Sequence, residues 1–196
     1  MRGLDLIFGK SSLIAVLRVL FSHRGTPLSG RQIQRLAGLS NRATMLALDE
    51  LETLRVLRVD RLARGHAYLL NEENYFVLKA LRPALESEVY FWEDLGKTIR
   101  RRVHPRPVAA VATGPLARDE ALSSGRVDLV LFFTDGRQRL RAFSSLNALK
   151  EAAGSRYAVE LDATFVDANS MNREEFESLW RRVGREGILL YGKIPG

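Results

Sequence analysis

The sequence predicts an α+β / α/β two-domain protein: a small N-terminal α+β module, a long helical connector and a C-terminal α/β layer with a mixed sheet. Three observations lead there. The hydrophobic period changes from helical to alternating near residue 56, after three short helical stretches. From residue 107 onward, strand-like runs alternate with helical ones, the order of an α/β layer. The formal charge of +7 over 196 residues is confined to the first half: residues 1–72 carry 11 basic and 6 acidic residues, 73–106 carry 7 and 5, and 107–196 carry 12 of each. These ranges are the expected N-terminal domain, connector and C-terminal domain.

Composition bounds the chemistry. With 46% hydrophobic and 27% charged residues, the chain has material for a core and is not a disordered tail. It has no cysteine, which excludes disulfides, thiolate zinc sites and cysteine nucleophiles. His23, His66 and His104 lie far apart in sequence, an arrangement that argues against a histidine-rich metal site. No apolar run approaches the roughly 20 residues of a membrane helix. Met1-Arg2-Gly3-Leu4-Asp5 lacks the basic start and long apolar stretch of a signal peptide. The expected setting is cytoplasmic, with no membrane contact.

In the first module, Ser11 and Ser12 are caps for a helix with Leu13, Val16, Leu17 and Leu20 at helical spacing. Ser22-His23-Arg24-Gly25-Thr26-Pro27 breaks it. Ser29 caps a short second helix, Gly30 to Ala37, expected to bury Ile33 and Leu36, and Gly38 is a left-handed C-cap. Ser40 opens a third helix to about Leu54, with Thr44, Leu48, Leu51 and Leu54 inward. Val56 to Arg61 alternates as a strand, Leu62-Ala63-Arg64-Gly65 is a basic turn, and His66 to Asn71 is the returning strand of a hairpin.

Leu36-Ala37-Gly38-Leu39-Ser40, the Leu48/Leu51 spacing and Arg64-Gly65-His66-Ala67-Tyr68-Leu69-Leu70-Asn71 give Leu28 to Asn71 its family likeness. The stretch resembles the winged helix-turn-helix domains of bacterial and archaeal transcription regulators. The resemblance implies that the third helix lies in the major groove of double-stranded DNA, with the wing beside phosphates or in the minor groove. Ser40, Asn41 and Arg42 then stand at the groove, Arg61, Arg64 and His66 arm the wing, and Arg31 and Arg35 hold the backbone. Each phosphate contact adds salt-dependent, sequence-independent affinity. The outward face of the third helix departs from this pattern: Ala43, Met45, Leu46 and Asp49 are poor in donors and include a carboxylate. That face suits thymine methyls or a protein partner, and taken singly each arginine is also an ordinary solvated charge.

Glu73 to Val103 carries Tyr75, Phe76, Leu78, Leu81, Leu85, Val89, Tyr90, Trp92, Leu95 and Ile99 at roughly helical intervals. A helix is expected from about Glu73, with a kink or restart at Pro83 and a long run to about Val103. Tyr90-Phe91-Trp92 is expected to be core or a homodimer interface, since a two-fold dimer matches a palindromic site. Arg100-Arg101-Arg102 fits a helix C-terminus, where the dipole favours cations, better than a second nucleic-acid contact.

In the last segment, strands are expected at Val108–Thr113, Arg126–Phe133 and Tyr157–Val166. Gly114 to Ala121 is a loop entering a short helix, and Gly136 to Ala153 is mostly helical with Leu140, Phe143, Leu146 and Leu149 inward. Asn172 to Val183 is a helix that Gly184 is placed to end, and Gly187 to Tyr191-Gly192 closes the chain.

Gly114 in a turn after the first strand, Ala117-Arg118-x-Glu120-Ala121, Asp128-Leu129-Val130 and Arg185-Glu186-Gly187-Ile188-Leu189-Leu190-Tyr191-Gly192 carry a second likeness. The segment resembles the small nucleotidyltransferases related to DNA polymerase beta. That family implies a Gly-Ser turn holding triphosphate oxygens, and three carboxylates holding two magnesium ions about 4 Å apart that clamp the attacking and leaving oxygens. Asp162, with Glu160 on the same strand face, matches the third carboxylate. The departures bear on function. Pro115 stands where the turn serine belongs, removing a hydroxyl and an amide donor; Asp119 replaces a glycine near the phosphates; Arg126 occupies the place of the first carboxylate. Positions two apart on a strand share a face, so Arg126 is expected beside Asp128 and within reach of Asp162. Gly114, Pro115, Arg126, Asp128 and Asp162 are therefore expected to be a degenerate site with no catalytic residues, no bound metal and no cofactor.

The expected function is a dimeric DNA-binding transcription regulator whose nucleotidyltransferase-like domain is a sensor or interaction module. Two alternatives stay open: a working nucleotidyltransferase using magnesium and ATP or another NTP and targeted by the winged helix, and an antitoxin-like partner of another protein.

Overall fold

Serine caps open three helices of the first unit, and the residues around each cap show why. A computed structural model of the chain describes residues 3–8, 11–62, 65–118, 125–167 and 177–195, in two units, Gly3–Val89 and Tyr90–Gly196. Helix α1 (Gly3–Phe8) precedes α2 (Ser12–Ser22), where Ser11 accepts from the Leu13 amide. Strand β1 (Leu28–Ser29) enters α3 (Gly30–Ala37) through a reciprocal capping box between Ser29 and Gln32. Gly38 ends α3 at φ 66°, a conformation glycine adopts without a Cβ penalty. Ser40 caps α4 (Asn41–Thr53) by accepting from the Ala43 amide. Strands β2 (Leu57–Leu62) and β3 (Gly65–Leu70) form the antiparallel hairpin, and β1 adds to β3, giving the order β1-β3-β2.

Val16, Leu17, Leu20 and Phe21 of α2 meet Ile33, Leu48, Leu51, Tyr68 and Leu70 in one core. Leu36 and Leu54, expected inward, are exposed. The short α3 buries a single position, Ile33. On α4 Ala47 takes an inward place, and Leu54 is already the C-cap, where the chain turns away through Arg55 at φ 56°. The side-chain amides of Asn71 and Asn74 donate to the Arg55 carbonyl and hold that turn. An ion triad of a half-buried arginine and two buried carboxylates also ties the unit together. Arg18 reaches Asp5 at 2.9 Å and Glu88 at 2.7 Å, and Glu88 accepts from the Leu4 amide. Burial opposes the Arg18 charge, but hydrogen bonds to Glu88 and Asp5 more than offset it and its pKa is raised.

The connector is interrupted by a widened π turn, Val77–Leu81, just before Pro83, and α5 runs from Arg82 to Arg102. Leu85 belongs to the first core, and Phe91, Leu95, Ile99 and Val103 to the second.

The second unit has three layers. Its sheet, in the order β6-β5-β4-β7, uses β4 (Ala109–Thr113), β5 (Arg126–Phe133), β6 (Glu160–Asp167) and β7 (Ile188–Gly192). Strands β5 and β6 are parallel and the other pairs antiparallel, so the sheet is mixed. One face packs α5 with α6 (Gly136–Ala142) and α7 (Leu146–Tyr157) through Leu95, Ile99, Leu129, Leu131, Ala142 and Leu149. The other packs α8 (Glu177–Glu186) through Val111, Val130, Phe132, Leu179 and Val183. Burial on both faces explains the apolar run Leu129–Phe133 that forms the second part of β5.

Several boundaries differ from expectation. The helix from Gly136 divides at a 3-10 turn, Phe143–Ser145, leaving Leu140 and Phe143 exposed. Tyr157 ends α7 instead of starting a strand: Ala158 caps the helix at φ 53°, the Tyr157 hydroxyl bonds Thr98 and the Asp94 carbonyl, and β6 begins at Glu160. Gly184 does not end α8, which continues to Glu186. Asp119, Glu120 and Ala121, and the start of the expected helix at Asn172, lie outside the described residues. Among the described residues no helix is long and apolar enough to cross a membrane.

Candidate functional site

Two regions carry the chemistry singled out in the sequence. In the first unit, the inward stripe of Thr44, Ala47, Leu48 and Leu51 turns the first residues of α4 outward, so Asn41 and Arg42 are exposed in its opening turn. Ser40 sits just before them with its oxygen committed to the cap. Arg31 and Arg35 are exposed one turn apart on α3. Arg61 and His66 face each other across the hairpin, both exposed, and His66 packs edge-on to Tyr68 at 6.3 Å. Arg64 lies outside the described residues. Among the described residues, Arg31, Arg35, Arg42 and Arg61 make no ion pair. Met45, Leu46 and Asp49 are exposed further along α4, Leu46 at 59%.

In the second unit, β4 ends at Thr113, opposite Asp128 of β5, and Asp128 is level with Asp162 of the parallel β6. Gly114 follows at φ +88°, and a Cβ there would lie 2.8 Å from Asp128 Oδ2, so both conformation and space require glycine. Pro115 is half-buried in the turn. Arg126 shares the face of Asp128: its Nε donates to Asp128 Oδ1 at 2.8 Å and its Nη2 to Asp162 Oδ2 at 3.2 Å. The bond to Asp128 is the main reason the Arg126 pKa is raised.

Three residues of this cleft carried no assigned role in the sequence reading. Arg182 of α8 lies 4.0 Å from Asp128 Oδ2, and Arg118 donates to Glu186 at 2.7 Å. That hydrogen bond is the largest cause lowering the Glu186 pKa, with smaller contributions from the Gly114 amide and Arg182. Arg118, Ser178, Arg181, Arg182, Arg185 and Glu186 line an open hollow beside it. No spacing motif announces these contacts, since they join the turn after β4 to a helix near the end of the chain. Arg126 thereby occupies Asp128 Oδ1 and Asp162 Oδ2, one oxygen of each carboxylate that a magnesium ion at this site would draw on.

The helix order with its three-stranded antiparallel wing, and the sheet order with its parallel β5–β6 pair, decide the architecture. The chain joins a winged helix-turn-helix fold to a nucleotidyltransferase-like fold. No family model matches it, and no curated protein does. Among solved structures, a toxin–antitoxin crystallised with AMP-PNP is similar over 52% of this chain and 73% of its own, at 18% identity and a TM-score of 0.35. The zinc-responsive MarR family member ZitR of Lactococcus lactis is similar over 45% of this chain, at 20% identity and TM-score 0.34. The match spans 61% of ZitR, less than two thirds of its length. A provisionally assigned nucleotidyltransferase from Sulfolobus solfataricus is similar over 56% of this chain and 87% of its own, at 16% identity and TM-score 0.32.

Proposed function

We propose that the chain is a cytoplasmic DNA-binding transcription regulator acting as a homodimer, and that its nucleotidyltransferase-like unit is a pseudoenzyme serving as a sensor or interaction module. The observation that carries the DNA reading is a set of exposed cations with no ion pair among the described residues: Arg42 in the first turn of α4, Arg31 and Arg35 on α3, and Arg61 beside His66 on the hairpin. Unneutralised guanidinia around a helix N-terminus suit a phosphate backbone electrostatically. The dimer reading is supported by Tyr75, Phe76, Leu78 and Val89, all exposed on the helical connector within the first unit. The pseudoenzyme reading is supported by Arg126 bridging Asp128 and Asp162. No cofactor is proposed; magnesium and ATP enter only if the unit turns over nucleotide.

A second reading, a protein partner seated on α4, is favoured by one observation: Met45 and Leu46 are exposed where base-reading donors are expected. Fluorescence anisotropy with a random duplex separates the two. The expected result is binding that weakens steeply between about 50 mM and about 200 mM salt. Arg42→Ala and Arg61→Ala should each reduce the salt slope by about 1. Absence of binding to random duplex at low salt overturns the DNA reading and favours the protein partner.

A further inference from the structure

Helices α5 and α7 run side by side in the second unit, and the sequence makes the seam unusually basic. Thr98 and Tyr157 join their hydroxyls at 2.7 Å at one end, and Ser145 accepts from the His104 amide at the other, so the pair is antiparallel and pinned twice. Between those pins lies a hollow of about 240 Å³ lined by Thr98, Arg101, Arg102, Ala152, Ser155 and Arg156. Three guanidinia line it and no carboxylate does. The acidic residues nearby are otherwise disposed: Glu93 and Asp94 engage Lys97, and Glu151 does not line the hollow. Arg101 donates to the Lys97 carbonyl and Arg156 lies over the Tyr157 ring, but among the described residues none of the three makes an ion pair.

Helix dipoles explain a cation in the last turn of each helix. They do not explain three cations around one hollow, because Arg101 and Arg102 end α5 while Arg156 ends α7, and the two helices point in opposite directions. Arginine stays charged throughout the range in which proteins fold, so the three guanidinia make a positive field that an anion inside the hollow would neutralise. Planar guanidinium forks match phosphate oxygens two at a time. The hydroxyl of Ser155 already donates to the Glu151 carbonyl, which leaves the guanidinia as the donors.

We propose that this hollow is a binding site for a small phosphate-bearing anion, taken without a divalent cation and apart from the Asp128–Asp162 carboxylates. The inference does not depend on DNA binding. The test is isothermal titration of the full chain with inorganic pyrophosphate in the presence of EDTA. Saturable one-site binding is expected. Arg102→Gln and Arg156→Gln should each weaken it about tenfold or more, while Arg141→Gln, an exposed arginine on α6, leaves it unchanged. Far-UV circular dichroism checks that each variant is folded. The proposal is overturned if no saturable binding is seen, or if Arg141→Gln weakens binding as much as the pocket variants do. It is equally overturned if the pocket variants spare pyrophosphate and lower affinity for duplex DNA, which makes the cluster a backbone contact.

Discussion

In the first unit Arg31, Arg35, Arg42 and Arg61 stand exposed with no ion pair among the described residues, whereas in the second Arg118, Arg126 and Arg182 each lie against a carboxylate. The residue type is the same and the neighbours differ. An exposed, unpaired guanidinium adds to the long-range field and is available to a polyanion. One held at 2.8 Å by an aspartate is locally neutralised and acts as a strut. Within the 12 basic and 12 acidic residues of 107–196, the cations of the cleft are answered locally, whereas among the described residues Arg31, Arg35, Arg42 and Arg61 of the +5 segment 1–72 are not.

The distinction breaks most sharply at Arg18, an arginine of the first unit that is paired in the manner of the second. Its partners Asp5 and Glu88 are 6% and 8% exposed. Arg18→Ala strands two buried carboxylates and should cost about 3 kcal/mol, the low end for a broken buried pair. Arg42→Ala should stay within about 0.5 kcal/mol. Urea unfolding by far-UV circular dichroism reads both. Trp92 and Trp180 lie in the second unit, so tryptophan emission should move less than dichroism in the Arg18 variant. Equal dichroism shifts for the two variants would remove pairing as the difference between the regions.

The next effect concerns the strut that Arg126 makes between Asp128 and Asp162. Arg126→Asp exchanges the bridging cation for a third carboxylate on the same strand face as Asp128. Magnesium affinity measured by calorimetry should rise about tenfold or more, equivalent to about 1.4 kcal/mol. On the proposed reading no ATP turnover is expected from this variant, since Pro115 offers the turn neither an amide nor a hydroxyl. Tight magnesium-dependent ATP binding and turnover by the unmodified protein would show that Arg126 does not close the site.

Much of the fold was legible because its signals are local. Ser29, Gly38 and Ser40 announce their caps locally, and the expected strand Arg126–Phe133 is the observed β5. What failed depends on distant neighbours. Leu36, Leu54 and Leu140 obey the helical period, but period alone does not say where the covering layer ends. Tyr157 looked like a strand residue until Thr98 and Asp94 claimed its hydroxyl. In the cleft, Arg126 beside Asp128 follows from the alternation of a strand. Arg182 and Glu186 required the placement of α8, and the Arg18 triad required contacts across 70 residues of chain.

The smallest expected effect tests whether the second unit's pairs contribute to stability at all. Glu186 has its pKa lowered chiefly by the Arg118 hydrogen bond, with burial working against the shift. A depressed folded-state pKa adds stability that is complete above the unfolded value, about 4.3, and is lost as pH falls through the folded value. The protein should therefore lose stability between about pH 5 and about pH 3 more steeply than Glu186→Gln, which has no carboxylate to protonate. A partly exposed pair warrants less than about 1 kcal/mol. Urea midpoints from tryptophan emission at the two pH values give the slopes. Parallel slopes would mean that Arg118 and Glu186 meet without stabilising the turn at Gly114, and that pairing in the cleft neutralises charge and does nothing more.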